Sequence, residues 1–286
     1  MEGVERILMK NRPSVALIEG DTNTVLGGAL AASKLGICLG HVESGLRSYD
    51  RSMPEELNRV VADHVSDFLF PPTEGARRNL MNEGLGSRDI TVTGNTIVDA
   101  LEQCIPSAKE TDVNSYLVGV PGEYALTTIH RQENVENPSR FSSIIRGLEL
   151  VSQELKVPVI YPIHPRAKRA FEEFGLSVDS ERVRIMPPAD YFRFLKLEMG
   201  ASLILTDSGG VQEESCVLGV RCVTLRHNTE RPETLEVGAN MLGGTEPNSI
   251  LTAAQTMMAK SRSWQNPFGD AHAAERIVNF LMKADQ

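Results

Sequence analysis

ASLILTDSGGVQEESCVL, residues 201–218, opens as an apolar run, turns at a glycine pair and closes with apolar residues at helical spacing. Residues 201–206 read as a short buried strand, and Gly209 and Gly210 fall at a strand-to-helix turn. Glycines there let a ligand come close to the backbone, and the unpaired N–H groups of a first helical turn favour a phosphate. A plain tight turn capped by Ser208 or Asp207 accounts for the residues equally well.

The same strand-then-helix grammar runs outward from this stretch. Strand-like runs at residues 15–18, 37–42, 68–70 and 90–93 alternate with helical patterns at 22–34, 54–65, 73–84 and 97–104. A less patterned region at 106–122, with Pro106, Val120, Pro121 and Gly122, follows. Alternation resumes with strands at 124–129, 157–161 and 203–205, and a break at 264–269 precedes a last helix at 270–283. Repeated βα units imply parallel sheets covered by helices on both faces. The expected fold is therefore α/β, with two Rossmann-like doubly wound domains facing a cleft at the carboxyl ends of the strands. The expected division is 1–110, 111–269 and a C-terminal helix, 270–286, that packs on either half.

Bulk properties narrow the function. The chain has 286 residues, 41% hydrophobic and 23% charged, which is ordinary globular composition. No apolar run approaches the roughly 18 residues of a membrane span, and the first residues lack the pattern of a signal peptide, so a cytoplasmic protein is expected. A net charge of -9, from 38 acidic and 29 basic residues, disfavours nucleic acid or an acidic membrane as partner. Cys38, Cys104, Cys216 and Cys222 show neither C-x-x-C spacing nor a disulfide framework. Buried reduced thiols are expected, with no metal site. Dinucleotide, Walker and H-E-x-x-H motifs are absent, so no bound cofactor is expected.

The chemically loaded residues cluster at strand ends: Asp21 and Glu43 in the first half; His130, Arg131, Glu133, His164 and the DSGG turn in the second. Three carboxylates at neighbouring element ends, Asp21, Glu43 and Glu55, suit general acid and base work on a sugar carbon. Singly, each has a plainer reading: Asp21 as an N-cap, Glu43 as a loop charge, Glu55 as a first-turn acid beside Pro54. His130 with Arg131 and Glu133 could hold a diphosphate, or be structural. Glu214, one turn into its helix, suits ribose hydroxyls, and a solvated helix-face charge is its alternative. The loop carrying Arg226, Glu230 and Arg231 offers an anion contact or simply a charged surface.

The blocks GDTNTVLGGALAASKLG, GHVESGLRSYDRSMPEELNRV, TGNTIVDAL, TIHRQEN, TDSGGVQEES, TLRHNTERPETLEVGAN and NPFGDAHAAERIV together resemble the non-hydrolysing UDP-N-acetylglucosamine 2-epimerases, in order over nearly the whole chain. The resemblance implies a glycosyltransferase-B type fold. It also implies inversion at C2 of UDP-GlcNAc to give UDP-ManNAc, by anti elimination of UDP to a 2-acetamidoglucal and re-addition. Carried over position by position, Asp21, Glu43, Glu55 and His130 match catalytic positions. Ser208, Gly209 and Gly210 match diphosphate contacts and Glu214 the ribose contact, and Arg226 and Glu230 join them as substrate-binding candidates. Arg131, Glu133 and His164 match contacts to a second, activating UDP-GlcNAc. A homodimer serving surface-polysaccharide precursor synthesis is the family expectation.

Against that pattern, the opening strand and arginine-bearing loop of usual members have no counterpart before residue 15. A truncated first domain, and a chain inactive or poorly folded alone, is the expectation that follows. Three other readings stay open at this level: a 2-epimerase for a diacetamido-uronate sugar, a retaining glycosyltransferase, and an inactive UDP-sugar-binding fragment.

Overall fold

The computed structural model describes residues 1–120 and 122–284. In chain order the first part contains α1 (Glu2–Asn11), β1 (Val15–Glu19), α2 (Asn23–Lys34), β2 (Cys38–Val42), α3 (Pro54–Val65), β3 (Phe68–Phe70), α4 (Glu74–Asn82), β4 (Asp89–Ile90) and α5 (Thr96–Glu110). Next come α6 (Asn114–Leu117), β5 (Ala125–Thr128), α7 (Gln132–Val135), α8 (Pro138–Leu155), β6 (Val159–Pro162), α9 (Pro165–Glu173), β7 (Val183–Met186), α10 (Tyr191–Gly200) and β8 (Leu203–Thr206). The chain ends with α11 (Gly209–Val217), β9 (Cys222–Thr224), α12 (Pro232–Glu236), β10 (Asn240–Leu242), α13 (Pro247–Ala259) and α14 (Ala273–Ala284).

These elements form two compact units, Met1–Ala100 with Phe268–Gln286, and Leu101–Pro267. The first holds a parallel sheet in the order β1-β2-β3-β4; the second holds a parallel sheet in the order β10-β9-β8-β5-β6-β7.

Alternation along each strand explains why the second sheet is covered on both faces. Ala125, Val159, Tyr161, Leu203, Leu205 and Val223 belong to one buried cluster with residues of α8 and α13. Their neighbours Leu126, Ile160, Ile204 and Cys222 belong to another, with Leu197 of α10 and Val211 of α11. Successive side chains of a strand point to opposite faces, so strands apolar at every position need helices on both sides. This continuous apolarity made 203–206 legible as a buried strand.

The division of the chain differs from the one expected. It falls at Ala100/Leu101 rather than 110/111, because α5 runs on through Pro106 to Glu110. Leu101 and Ala108, two helical turns apart, are buried with Leu195, and Cys104 and Ile105 pack on the same cluster. Of the stretch read as a boundary, Pro121 lies outside the described residues, as do Asp285 and Gln286 at the end of the chain. The C-terminal segment belongs to the first unit. The Asp99 carboxylate accepts from the backbone N–H of Ala273 (3.1 Å) and Ala274 (3.0 Å), capping α14. Phe280 of that helix sets its ring edge-to-face on Phe68 and Phe70, with both centroids 5.4 Å away.

Strands β7, β9 and β10 have no counterpart among the runs picked out from the sequence. β9 and β10 are three residues each, and in β7 Arg184 interrupts the apolar run, its guanidinium reaching the carbonyls of Val118 and Gly119. Cys216 and Cys222 are buried thiols, Cys104 is half-buried, and Cys38 is exposed, against the expectation for it. Cys38 opens β2, where the strand has only just entered the sheet.

Candidate active-site residues and the nucleotide-type helix turn

In the first unit, Asp21 and Glu43 sit just past the carboxyl ends of the adjacent strands β1 and β2. Gly20 has φ +81, a left-handed conformation that suits glycine, and Glu43 Oε2 lies 3.6 Å from where a side chain on Gly20 would begin. Glu43 itself has φ +64. A non-glycine residue held there costs about 1–2 kcal/mol, and such outliers concentrate at functional sites. Its Oε1 accepts from Asn95 Nδ2 at 3.3 Å.

Asp21 is tied to α3 twice: its Oδ2 meets Arg59 Nη2 at 2.5 Å, and its carbonyl accepts from Asn58 Nδ2 at 2.9 Å. Arg59 also reaches Glu56 Oε2 at 2.6 Å, and Glu56 accepts from the backbone N–H groups of Ser48 and Tyr49. Glu55, half-buried in the first turn of α3, stands beside this network. Neither Arg59 nor Glu56 was singled out in the sequence; the signal was their spacing, three residues apart on one helix face, the distance of an ion pair.

Behind these groups His41 and Asp63 are both fully buried, Nδ1 to Oδ1 2.6 Å. Arg47 Nη1 lies 2.7 Å from the other Asp63 oxygen, which also accepts from Gly45 N–H at 3.1 Å.

In the second unit the glycine turn opens helix α11. Ser208 is the N-cap of α11, its hydroxyl accepting from Val211 N–H at 3.4 Å. A side chain on Gly209 would start 3.7 Å from the Arg231 guanidinium carbon and 3.9 Å from Glu230 Oε2. The turn thus opens beside the 226–231 loop, in which Arg226, Glu230 and Arg231 are buried while His227 is exposed. Arg226 grips Glu230 through both terminal nitrogens (2.9 and 3.0 Å), and Arg231 Nε pairs with Glu213 Oε1 at 2.6 Å. Arg131 Nη2 lies 3.7 Å from Glu230 Oε1.

Asp207, just before the turn, organises the end of β5. Its carboxylate accepts from the N–H groups of His130 and Arg131 (3.0 Å each) and from Asn134 Nδ2 (3.0 Å), and lies 3.1 Å from His130 Nδ1. Burial alone would raise its pKa; the hydrogen bonds and charge of His130, then those of Asn134 and Arg131, outweigh that and hold it below the usual range. The His130 ring is left partly exposed, 6.0 Å from that of His164. His164 caps α9 and is exposed, and its pKa is lowered by burial, then by His130 and Arg166. Glu133 is exposed in the first turn of α7.

Glu214, one turn into α11, is not the solvated charge its alternative reading supposed: it is 7% exposed. Burial raises its pKa to about 7 against the opposing hydrogen bond from the Tyr191 hydroxyl at 3.0 Å. Tyr191 and the fully buried Glu198 behind it, both on α10, had no motif to mark them. Among the described residues no cluster of three or more metal-ligating side chains occurs, and no helix is long and apolar enough to cross a membrane.

Comparison with known proteins places this geometry. Residues 1–282 match the family model described as UDP-N-acetylglucosamine 2-epimerase. The UDP-N-acetylglucosamine 2-epimerase of Methanocaldococcus jannaschii is 49% identical over 284 residues, covering 97% of this chain and 78% of that protein. The crystal structure of the enzyme from that organism in complex with UDP-GlcNAc and UDP superposes with a TM-score of 0.93 at 48% identity, over 99% of this chain and 79% of the other. A UDP-2,3-diacetamido-2,3-dideoxy-D-glucuronate 2-epimerase of Pseudomonas aeruginosa is 36% identical, over 98% of this chain and 78% of its own length. The fold is the glycosyltransferase-B type expected, and the chain belongs to the family of non-hydrolysing UDP-N-acetylglucosamine 2-epimerases.

Proposed function

We propose that the chain interconverts UDP-GlcNAc and UDP-ManNAc. The observation that carries this reading is the turn before α11: a serine-capped helix start with two glycines, bordered by the buried Arg226 and Arg231, with Glu214 one turn further in. A diphosphate suits the first-turn N–H groups and the arginines, and a ribose suits a carboxylate that accepts from two hydroxyls. A dinucleotide or metal hydrolase would call for other motifs.

In the forward direction a carboxylate takes the proton from C2, and the C1–O electron pair leaves with UDP, giving 2-acetamidoglucal. UDP oxygen then attacks C1 again while a second group delivers a proton to the opposite face of C2. The sequence is redox-neutral, so it calls for no redox cofactor. Asp21, Glu43 and Glu55 are the proposed proton-transfer groups, and His130 supports the departing diphosphate. Asp207 fixes the position of His130, whose backbone N–H and Nδ1 it both engages. Arg131, Glu133 and His164 are proposed contacts for a second UDP-GlcNAc, and the enzyme is proposed to act as a cytoplasmic homodimer in supply of polysaccharide precursors.

The likeness to the Pseudomonas enzyme keeps a diacetamido-uronate substrate as the second reading. Incubation with each nucleotide sugar, followed by chromatographic separation of the epimers, tests both. UDP-ManNAc forming from UDP-GlcNAc supports the first reading; turnover of the uronate alone supports the second.

A further inference from the structure

His41 lies in β2 with no solvent exposure, and both ring nitrogens are engaged. Nε2 is 3.0 Å from the carbonyl oxygen of Gly20 and Nδ1 is 2.6 Å from Asp63 Oδ1. A peptide carbonyl only accepts, so Nε2 must carry a hydrogen. Asp63 accepts Gly45 N–H and pairs with Arg47 on its other oxygen, which marks it as a carboxylate, so Nδ1 must carry one too. The ring is therefore an imidazolium, stitched between two backbone segments.

Those segments are the ones that bear the candidate catalytic carboxylates. The Gly20 carbonyl immediately precedes Asp21; Gly45, held by the same Asp63, follows Glu43 by two residues. We propose that His41 is a positioning residue of the reaction: its doubly protonated ring fixes the Gly20 carbonyl against the 43–45 loop through Asp63, and so sets the spacing of Asp21 and Glu43. The inference rests on the reading of those two carboxylates as proton-transfer groups.

The charges facing the ring come from three elements. Asp63 of α3 and Glu43 of the loop favour the cation. Arg47, paired with Asp63 and with Glu83 beyond α4, balances them. Burial alone would lower the histidine pKa, and Asp63, the Gly20 carbonyl and Glu43 together carry it above 6.5. With the folded value above the ordinary one, the clamp is complete below the ordinary histidine range and is lost as pH rises through the raised value. Deprotonation at Nε2 would set two acceptors 3.0 Å apart, so the Gly20 loop has to move.

The test uses the whole chain. In protein labelled with 15N-histidine, the His41 ring is expected to show both nitrogens protonated at pH 6; a single N–H signal there overturns the proposal. Two non-titrating variants separate positioning from simple structure: the amide nitrogen of His41→Asn overlays Nδ1 and keeps Asp63, while that of His41→Gln overlays Nε2 and keeps Gly20. Misplacement of reacting groups by about 1 Å costs roughly 10²-fold. Both variants are therefore expected to lose about that factor in kcat, with KM for UDP-GlcNAc nearly unchanged and the alkaline limb of the wild-type kcat profile gone. Wild-type kcat in the variants, or a lowered kcat that keeps the same alkaline limb, overturns it. If wild type epimerises nothing, the failure is that of the proposed reaction, and the 15N spectrum decides the clamp by itself.

Discussion

The hydroxyl of Tyr191 donates to Oε1 of Glu214 across 3.0 Å, and this contact opposes the burial that raises that carboxyl to about 7. An ionised carboxylate offers both oxygens to two ribose hydroxyls and accepts more strongly than the protonated form, one of whose oxygens carries a hydrogen. UDP-GlcNAc, whose diphosphate is a diester without a group titrating near neutrality, is therefore expected to bind more tightly at pH 8 than at pH 6. Titration calorimetry at the two pH values checks this. Glu214→Gln is expected to weaken binding and flatten the dependence, and Tyr191→Phe to move its midpoint upward.

The same carboxyl has the opposite effect on the free protein. Its folded pKa of about 7 exceeds the ordinary 4.5, so the folded state binds more protons than the unfolded one between those values. Its contribution to stability declines as pH rises through that window. Thermal melts of Glu214→Gln across the window are expected to lack this component of the decline.

Asp207 has the reverse sign. Its pKa is held below 3.8 by His130, Asn134 and Arg131 despite complete burial, so its stabilisation is present above the ordinary carboxylate range and is lost as pH falls through the depressed value. Asp207→Asn leaves N–H groups of His130 and Arg131 facing an amide in place of a carboxylate. A loss of about 3 kcal/mol is expected, read by urea unfolding, together with reduced kcat as His130 loses its orientation.

Asp21→Asn and Glu43→Gln keep shape and remove ionisation. Each is expected to lower kcat by about 10²–10⁴-fold, the usual worth of a general acid or base. Binding of UDP should be nearly unchanged, since the groups proposed to hold UDP lie in the other unit. A matching loss of UDP affinity would point instead to a structural role.

Gly45→Ala tests the loop that carries Glu43. Gly45 has φ +79, and a β-carbon would begin 2.3 Å from the carbonyl oxygen of Ala76 and 2.9 Å from Leu80 Cγ. Left-handed strain and a clash with backbone act together, and a destabilisation of at least about 3 kcal/mol is expected by thermal denaturation.

Much of this could be read before any coordinates. The run at 203–206 was legible because every position is buried, and the DSGG turn because the glycine pair falls between that run and apolar residues at helical spacing. The polar wiring was not. Arg59 finds Asp21 across 38 positions, His41 finds Asp63 across 22 and Tyr191 finds Glu214 across 23; no local pattern records pairings that only tertiary packing makes. The extent of α5 was misjudged for a related reason. Pro106 reads as a break, yet burial of Leu101 and Ala108 against Leu195 keeps the helix going past it. Short strands such as β9 and β10 carry too few residues to show any period.

The central claim is proton exchange at C2 during elimination and re-addition of UDP. The most direct measurement incubates the chain with UDP-GlcNAc in deuterated water and follows C2 by proton NMR. Loss of the C2 proton signal in both nucleotide sugars as UDP-ManNAc appears is the predicted result. UDP-ManNAc formed with its C2 proton retained, or bound UDP-GlcNAc that never exchanges, would contradict it.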